Sequence, residues 1–160
     1  MYLKLLLLAL ILFGWTNVAI FILILNLVIS NFGKKIFAGG CAKCFEDYNK
    51  VSNPMKTELF TELNNMRKGE KISILEVGTG PGTNFKYFNR PAVVQSVEPN
   101  CNFKGYFDEN RAKFPNLDIN EIKQGFGEDL ATAGIADSSV DAVVMTLVLC
   151  SVADQVTHSG

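Results

Sequence analysis

One histidine, His158, stands in the whole chain, and its four cysteines (Cys41, Cys44, Cys101 and Cys150) contain a single C-x-x-C spacing with no second pair to match it. A structural zinc site draws four ligands from cysteine and histidine, so the sequence argues against a metal centre. The thiols read as reduced rather than bridged. No charged residue falls between Leu5 and Phe32, which rules out a solvated surface helix there. Basic charge is short in the rest: from Phe45 onward, 11 basic and 16 acidic residues leave a net charge of −5. A nucleic-acid partner needs a basic surface to meet phosphate, so none is expected. Outside the apolar segment there is no internal repeat or low-complexity tract.

What the first quarter does have is apolar length. Nineteen of the twenty-eight positions from Leu5 to Phe32 are Leu, Ile, Val or Phe, and about twenty apolar residues span a bilayer. At roughly −0.3 to −0.6 kcal/mol per such residue, insertion outweighs the cost of Thr16, Asn17, Asn26 and Ser30. A cleaved signal peptide would have a shorter apolar core, of about 7–15 residues. Ala38-Gly39-Gly40-Cys41 faintly resembles a lipoprotein cleavage site, but Lys34 and Lys35 intervene. Lys34, Lys35 and Lys43 follow the segment and Lys4 precedes it, which places the carboxyl-terminal part on the cytosolic side. That cluster suits lipid headgroups. A bent hairpin about Trp15-Thr16-Asn17 remains an alternative to a full span.

The chemistry is expected at Ile72–Asn84, ISILEVGTGPGTN, an apolar strand running into glycines 78, 80 and 82. A buried parallel strand reads as a short apolar run, and ligands of open α/β sheets sit at the carboxyl ends of the strands. A phosphate-cradling G-x-x-x-x-G-K-[ST] loop would need a lysine after Gly82, where Thr83 stands. A dinucleotide fingerprint would need glycine at position 83. The remaining pattern, E-x-G-x-G-x-G from Glu76, resembles the first motif of the class I S-adenosylmethionine-dependent methyltransferases. The physical fit is electrostatic: that ligand carries an ammonium and a sulfonium but no pyrophosphate, so a carboxylate at the loop attracts where it would repel a phosphate.

Spacing adds to the motif. Val93–Val97 is a second β-branched run ending in Glu98, twenty-two positions after Glu76, with Pro99 closing it. An acid there can accept hydrogen bonds from both ribose hydroxyls. A third strand is expected over Ile119–Gln124, leading to Gly125-Phe126-Gly127-Glu128-Asp129, and a fourth over Val140–Thr146. Upstream, Asn53-Pro54 predicts a helix start, with a cap and a proline at the first position. Leu59, Leu63 and Met66 then share one face, expected to pack on the sheet or to cover a pocket.

Taken together, YNKVSNPMKTELF, ILEVGTGPGTNFKYF, VEPN, GFGEDL and DSSVDAVVMTLVLCSV resemble the membrane-anchored thiol S-methyltransferases, methyltransferase-like proteins of the endoplasmic reticulum and lipid droplet surface. The resemblance covers Tyr48 to about Asp154 and is most specific in NFKYF and TLVLCSV. It implies a Rossmann-like α/β fold behind an N-terminal membrane helix, S-adenosyl-L-methionine as cofactor, and a small alkyl thiol as substrate. Glu76, Gly78, Gly80 and Gly82 would form the cofactor loop, Glu98 the ribose acceptor, and Glu128 or Asp129 the adenine contact. Leu147–Cys150 would flank the transferring methyl group. No catalytic base is assigned; Asp154, His158 and Cys150 are candidates by location only. Pro81 subtracts one backbone donor from the loop, and Glu98 stands where aspartate is more usual.

The resemblance also sets the expected organisation. Residues 1–36 would be the anchor, 37–70 a linker with an amphipathic helix, and 71–160 a partial cofactor-binding domain. Family sheets run 3-2-1-4-5-7-6, so a chain of this length is expected to hold about four strands, an incomplete sheet truncated on its carboxyl-terminal side. Two alternatives stay open beside the thiol methyltransferase: methyl transfer to a lipid or protein acceptor, and a non-catalytic protein resident on a membrane or droplet.

Overall fold

Residues 2–151 are described in the computed structural model, with side chains from Thr16 on. The chain divides into two compact units, one up to Phe37 and one from Ala38 on. Both draw on α1, Tyr2–Asn65. In the first unit the helix is apolar on every side, and Phe21, Leu23, Ile24 and Ile29 are each more than half exposed. Among the described residues, one helix is long and apolar enough to cross a membrane.

In the second unit, β1 (Ile72–Val77), β2 (Ala92–Val97), β3 (Asp118–Lys123) and β4 (Ala142–Met145) form one sheet in the order β3-β2-β1-β4. All three pairings are parallel, with Ile72 opposite Ala92 and Ile74 opposite Ala142. The α/β fold with about four strands is the expected one. Strand periodicity explains the two cores. Ile72 and Ile74 join Ala92, Val94, Phe60, Phe85 and Phe107 on one face. Leu75 and Val77 join Val97, Ala133 and Ile135 on the other. Phe85, fully buried, meets Phe107 edge-on at 5.3 Å between ring centroids, the arrangement ring quadrupoles favour.

A turn of 3₁₀ helix at Phe85–Tyr87 lies between β1 and β2, and α2 (Lys104–Arg111) between β2 and β3. Asp141 starts β4 in register: its carboxylate accepts from the Ser73 amide at 2.9 Å and from Arg67 at 2.6 Å, and its own amide donates to the Ser73 carbonyl.

Two expectations about α1 are overturned. No helix starts at Asn53-Pro54; Pro54 lies inside α1. The Asn53 side chain is not a cap, because its Oδ1 accepts from the Tyr87 hydroxyl at 3.2 Å and the Lys86 ammonium at 3.4 Å. Leu59 is 64% exposed, so Leu59, Leu63 and Met66 do not form the packing face. The buried stripe is Asn49, Ser52, Lys56 and Phe60, with Leu63 partly buried against the core. Arg90 ends the helix, donating to the carbonyls of Leu63, Asn64, Met66, Arg67 and Glu70. A cation at a helix carboxyl end satisfies orphan carbonyls and opposes the dipole.

Candidate cofactor site

Because all four strands are parallel, the segments after β1, β2 and β3 emerge at one edge of the sheet, the edge where α/β ligands bind. The segment after β1 is the glycine loop. Gly78 and Gly82 have φ of +66° and +75°, a left-handed region that L side chains avoid. A Cβ on Gly78 would lie 2.5 Å from Val148, and one on Gly82 would lie 2.3 Å from the Phe85 ring. The loop is pinned to β2 by the Gly78 and Thr79 amides, both donating to the Val97 carbonyl. Pro81 gives up a donor, but its carbonyl accepts from the Asn110 side chain at 2.9 Å and so ties the loop to α2.

Strand parity puts Glu76 on the face of Ile72 and Ile74, the side covered by α1. Its carboxylate is 1% exposed. Oε2 accepts from the Thr79 hydroxyl at 2.8 Å and Oε1 from Asn84 Nδ2 at 2.7 Å. Asn84 Nδ2 donates also to the Thr146 hydroxyl, and Asn84 Oδ1 accepts from the Lys56 ammonium at 2.9 Å. Burial drives the Glu76 pKa up to about 7, against the hydrogen bonds of Thr79 and Asn84 and the attraction of Lys56. Desolvation dominates because two neutral donors and one distant ammonium replace only part of the water that solvates the anion.

Glu98 closes β2 and is also buried. Its Oε2 accepts from the Gly80 amide at 3.0 Å and its Oε1 from the Asn100 amide at 2.9 Å. Burial pushes this carboxyl upward too, opposed by those two bonds. Each oxygen keeps a second acceptor position. Glu76, the three glycines and Glu98 are thus held in one bonded set.

Glu128 and Asp129 lie on the turn after β3, Gly127–Asp129. Asp129 is exposed, and its Oδ1 accepts from the Thr132 amide at 3.0 Å; hydrogen bonds from the Thr132 side chain and then this amide pull its carboxyl below the ordinary range. Glu128 is half-buried. After β4, Val148 lies under Gly78 while Leu147 and Leu149 are about half exposed. The Cys150 side chain, Asp154 and His158 lie outside the described residues. Cys41 is half-buried, its thiol pushed up by burial and then by Cys44 and Glu98, whereas Cys44 and Cys101 are exposed. Among the described residues no cluster of histidine, cysteine and acids suits a metal ion.

Two cavities border the loop. A small one of about 20 Å³ is lined by Phe45, Lys56, Gly78, Thr79, Thr83, Asn84, Thr146 and Leu147. A larger cleft of about 540 Å³ opens between residues 39–50 of α1, Pro81–Thr83 and residues 106–114. Sequence reasoning did not single out Lys56, Asn84, Asn49, Thr79 or Thr146. The available signal was a lysine at helical spacing between Ser52 and Phe60.

A parallel sheet with a glycine bend after its first strand and an acid at the tip of its second is shared by nucleoside-binding α/β folds, and the family comparison makes this one the class I methyltransferase type. The chain belongs to the methyltransferase-domain family, whose model matches residues 75–158. It is similar to the thiol S-methyltransferase TMT1A of Homo sapiens, 38% identical over 109 residues, which cover 68% of this chain and 44% of that protein. Thiol S-methyltransferase TMT1B of Rattus norvegicus is 35% identical over 106 residues, covering 66% and 42%. The human TMT1B is 33% identical over 105 residues, covering 65% and 42%. The matched part therefore spans less than half the length of these relatives. No solved structure matches the chain.

Proposed function

We propose that this chain binds S-adenosyl-L-methionine at the glycine-loop edge of its sheet and serves methyl transfer to the sulfur of a small alkyl thiol at a membrane surface. The observation that carries the reading is the buried carboxylate of Glu76 beside a glycine bend with no lysine. Such a loop repels phosphate and attracts an ammonium. The side chains fit the donor's chemistry. Gly78, Gly80 and Gly82 supply close backbone approach, Glu76 an anion for the donor's ammonium, and Glu98 two oxygens with spare lone pairs for ribose hydroxyls. Glu128 or Asp129 would meet the adenine amino group, and Asp129 Oδ1 already accepts from the Thr132 amide.

When bound, the donor supplies an electrophilic methyl group on a sulfonium. The chain's own part is positioning and exclusion of water. A free thiol has a pKa of about 8.5, so some thiolate exists at neutral pH without a strong base. Orientation of two reactants can supply several kcal/mol of the barrier. Phe45 lies 3.6 Å from where a Gly80 Cβ would be, and the loop cavity is far smaller than a nucleoside.

The apolar helix followed by Lys34, Lys35 and Lys43 supports a membrane anchor with lipid as its partner and the second unit facing the cytosol; placing it in the endoplasmic reticulum membrane or a lipid droplet rests on the family resemblance. We read 1–36 as that anchor and 71–160 as part of the methyltransferase domain. The test is calorimetry of S-adenosyl-L-methionine against the full chain in micelles, followed by labelled methyl transfer to a short alkyl thiol. Labelled thioether is the expected product. Label in lipid or protein would reassign the acceptor, and absence of donor binding would overturn the reading.

A further inference from the structure

Lys56 is an unusual lysine. Its side chain is 4% exposed on a helix whose neighbouring positions are open to solvent, and burying an ammonium is costly unless it is paired. It is 28 positions from Asn84, yet its Nζ donates to Asn84 Oδ1 at 2.9 Å and to Asn49 Oδ1 at 2.8 Å. The rings of Tyr48 and Tyr87 lie 5.5 and 5.7 Å from the same nitrogen, within cation–π range.

The asparagine between Lys56 and Glu76 can stand only one way. An ammonium is donor-only and a carboxylate acceptor-only. Asn84 must therefore turn its oxygen to Lys56 and its amide nitrogen to Glu76 and Thr146, as it does. Positive charge on α1 is thereby projected through one carboxamide onto one oxygen of the carboxylate. A latch between helix and loop would need only a neutral donor here; a lysine supplies charge besides.

We propose that Lys56, acting through Asn84, is a positioning residue that sets the orientation and charge of the Glu76 carboxylate for the donor's ammonium. This rests on the methyl-donor reading of the site. The groups facing Glu76 are few. From α1 comes Lys56, from the loop Thr79 and Asn84, and from the end of β2 Glu98, while the Thr146 hydroxyl, beyond β4, accepts from Asn84. Glu98 opposes ionisation of Glu76 and Lys56 favours it. Lys86, in turn, presses on Lys56. Lys56 is the one cation in that set acting on Glu76.

The experiment is donor affinity as a function of pH for the full chain in micelles. Wild-type affinity rises as Glu76 ionises through about pH 7. In Lys56→Met the midpoint moves up by about one unit, so that binding below the midpoint is about tenfold weaker and converges with wild type at high pH. Lys56→Arg, which keeps the charge, restores the wild-type profile. A Lys56→Met profile that overlays wild type at every pH, or is lowered equally at every pH, overturns the proposal and leaves a purely structural latch. Should the variants fail to fold, the wild-type chain decides the matter by NMR. The Lys56 amino nitrogen signal is expected to shift as the Glu76 carboxyl carbon titrates, and a Lys56 signal unmoved through that step overturns the coupling. Failure of the wild-type chain to bind donor at any pH would sink the methyl-donor reading, while the NMR titration would still report on the Lys56–Glu76 pair.

Discussion

Replacing Glu76 by glutamine separates what the carboxylate does for the site from what it costs the fold. An acid with a pKa of 4.5 in the unfolded chain and about 7 in the folded one holds more protons folded than unfolded between those values. Stability therefore falls as pH rises through that window, and the penalty is complete above it. At 1.36 kcal/mol per pH unit the penalty is about 3 kcal/mol. That is a large share of the ~5–15 kcal/mol that holds a domain folded. In Glu76→Gln the amide oxygen can still accept from Asn84, and the amide nitrogen can donate to the Thr79 hydroxyl, which rotates to accept. The penalty then disappears, less whatever Lys56 loses with its counter-charge. The variant is expected to be about 1–3 kcal/mol more stable than wild type above pH 7, and equal to it below 4.5. Urea unfolding of the full chain in micelles, followed by the near-ultraviolet signal of the Phe60–Tyr87–Phe88 ring cluster, measures the difference across the pH range. Donor affinity should move the other way and fall. Parallel stability curves for the two proteins between pH 4.5 and 7 would refute the reasoning, because they would mean that Glu76 is not the group being desolvated.

Three further outcomes follow from the geometry. Gly82→Ala should cost about 2–4 kcal/mol from left-handed backbone plus collision with Phe85, while Gly80→Ala, whose Cβ meets Phe45 at an ordinary distance, should cost about 1; equal losses in urea unfolding would contradict this. Arg90→Met strips the end of α1 of its cap and should cost about 2–4 kcal/mol, with faster amide exchange over residues 60–66; unchanged exchange there would count against the cap. Asp129→Asn should leave donor affinity unchanged and lose at most about 1 kcal/mol of stability, whereas Glu128→Gln should weaken donor binding several-fold; calorimetry giving the reverse order would exchange their roles.

The four strands were legible because their order and burial are local properties of the chain. Ile72, Ile74, Leu75 and Val77 are apolar on both faces since each face of the sheet has a core, and that signature needs no knowledge of the partners. The acid at the tip of β2 was legible by counting from the glycine loop. The part of α1 over the sheet was not legible, and the reason is chemical. Asn53-Pro54 carries a strong local start signal, but Asn53 is claimed by Tyr87 and Lys86 from more than thirty residues away, and the helix runs through. Apolar periodicity then points to Leu59, Leu63 and Met66, whereas the face that packs is Asn49, Ser52, Lys56 and Phe60. That face is polar where it meets Glu76 and Asn84 and apolar only at Phe60, where it meets the ring cluster. Hydrophobic patterning finds a helix face by its affinity for other apolar surface. A face built to complement a buried carboxylate looks, in sequence, like one built for water. The distinguishing mark is that one of its polar groups, Lys56, donates to Asn84 on the glycine loop as well as to Asn49 on its own helix, and the longer-range match exists only once the sheet has formed.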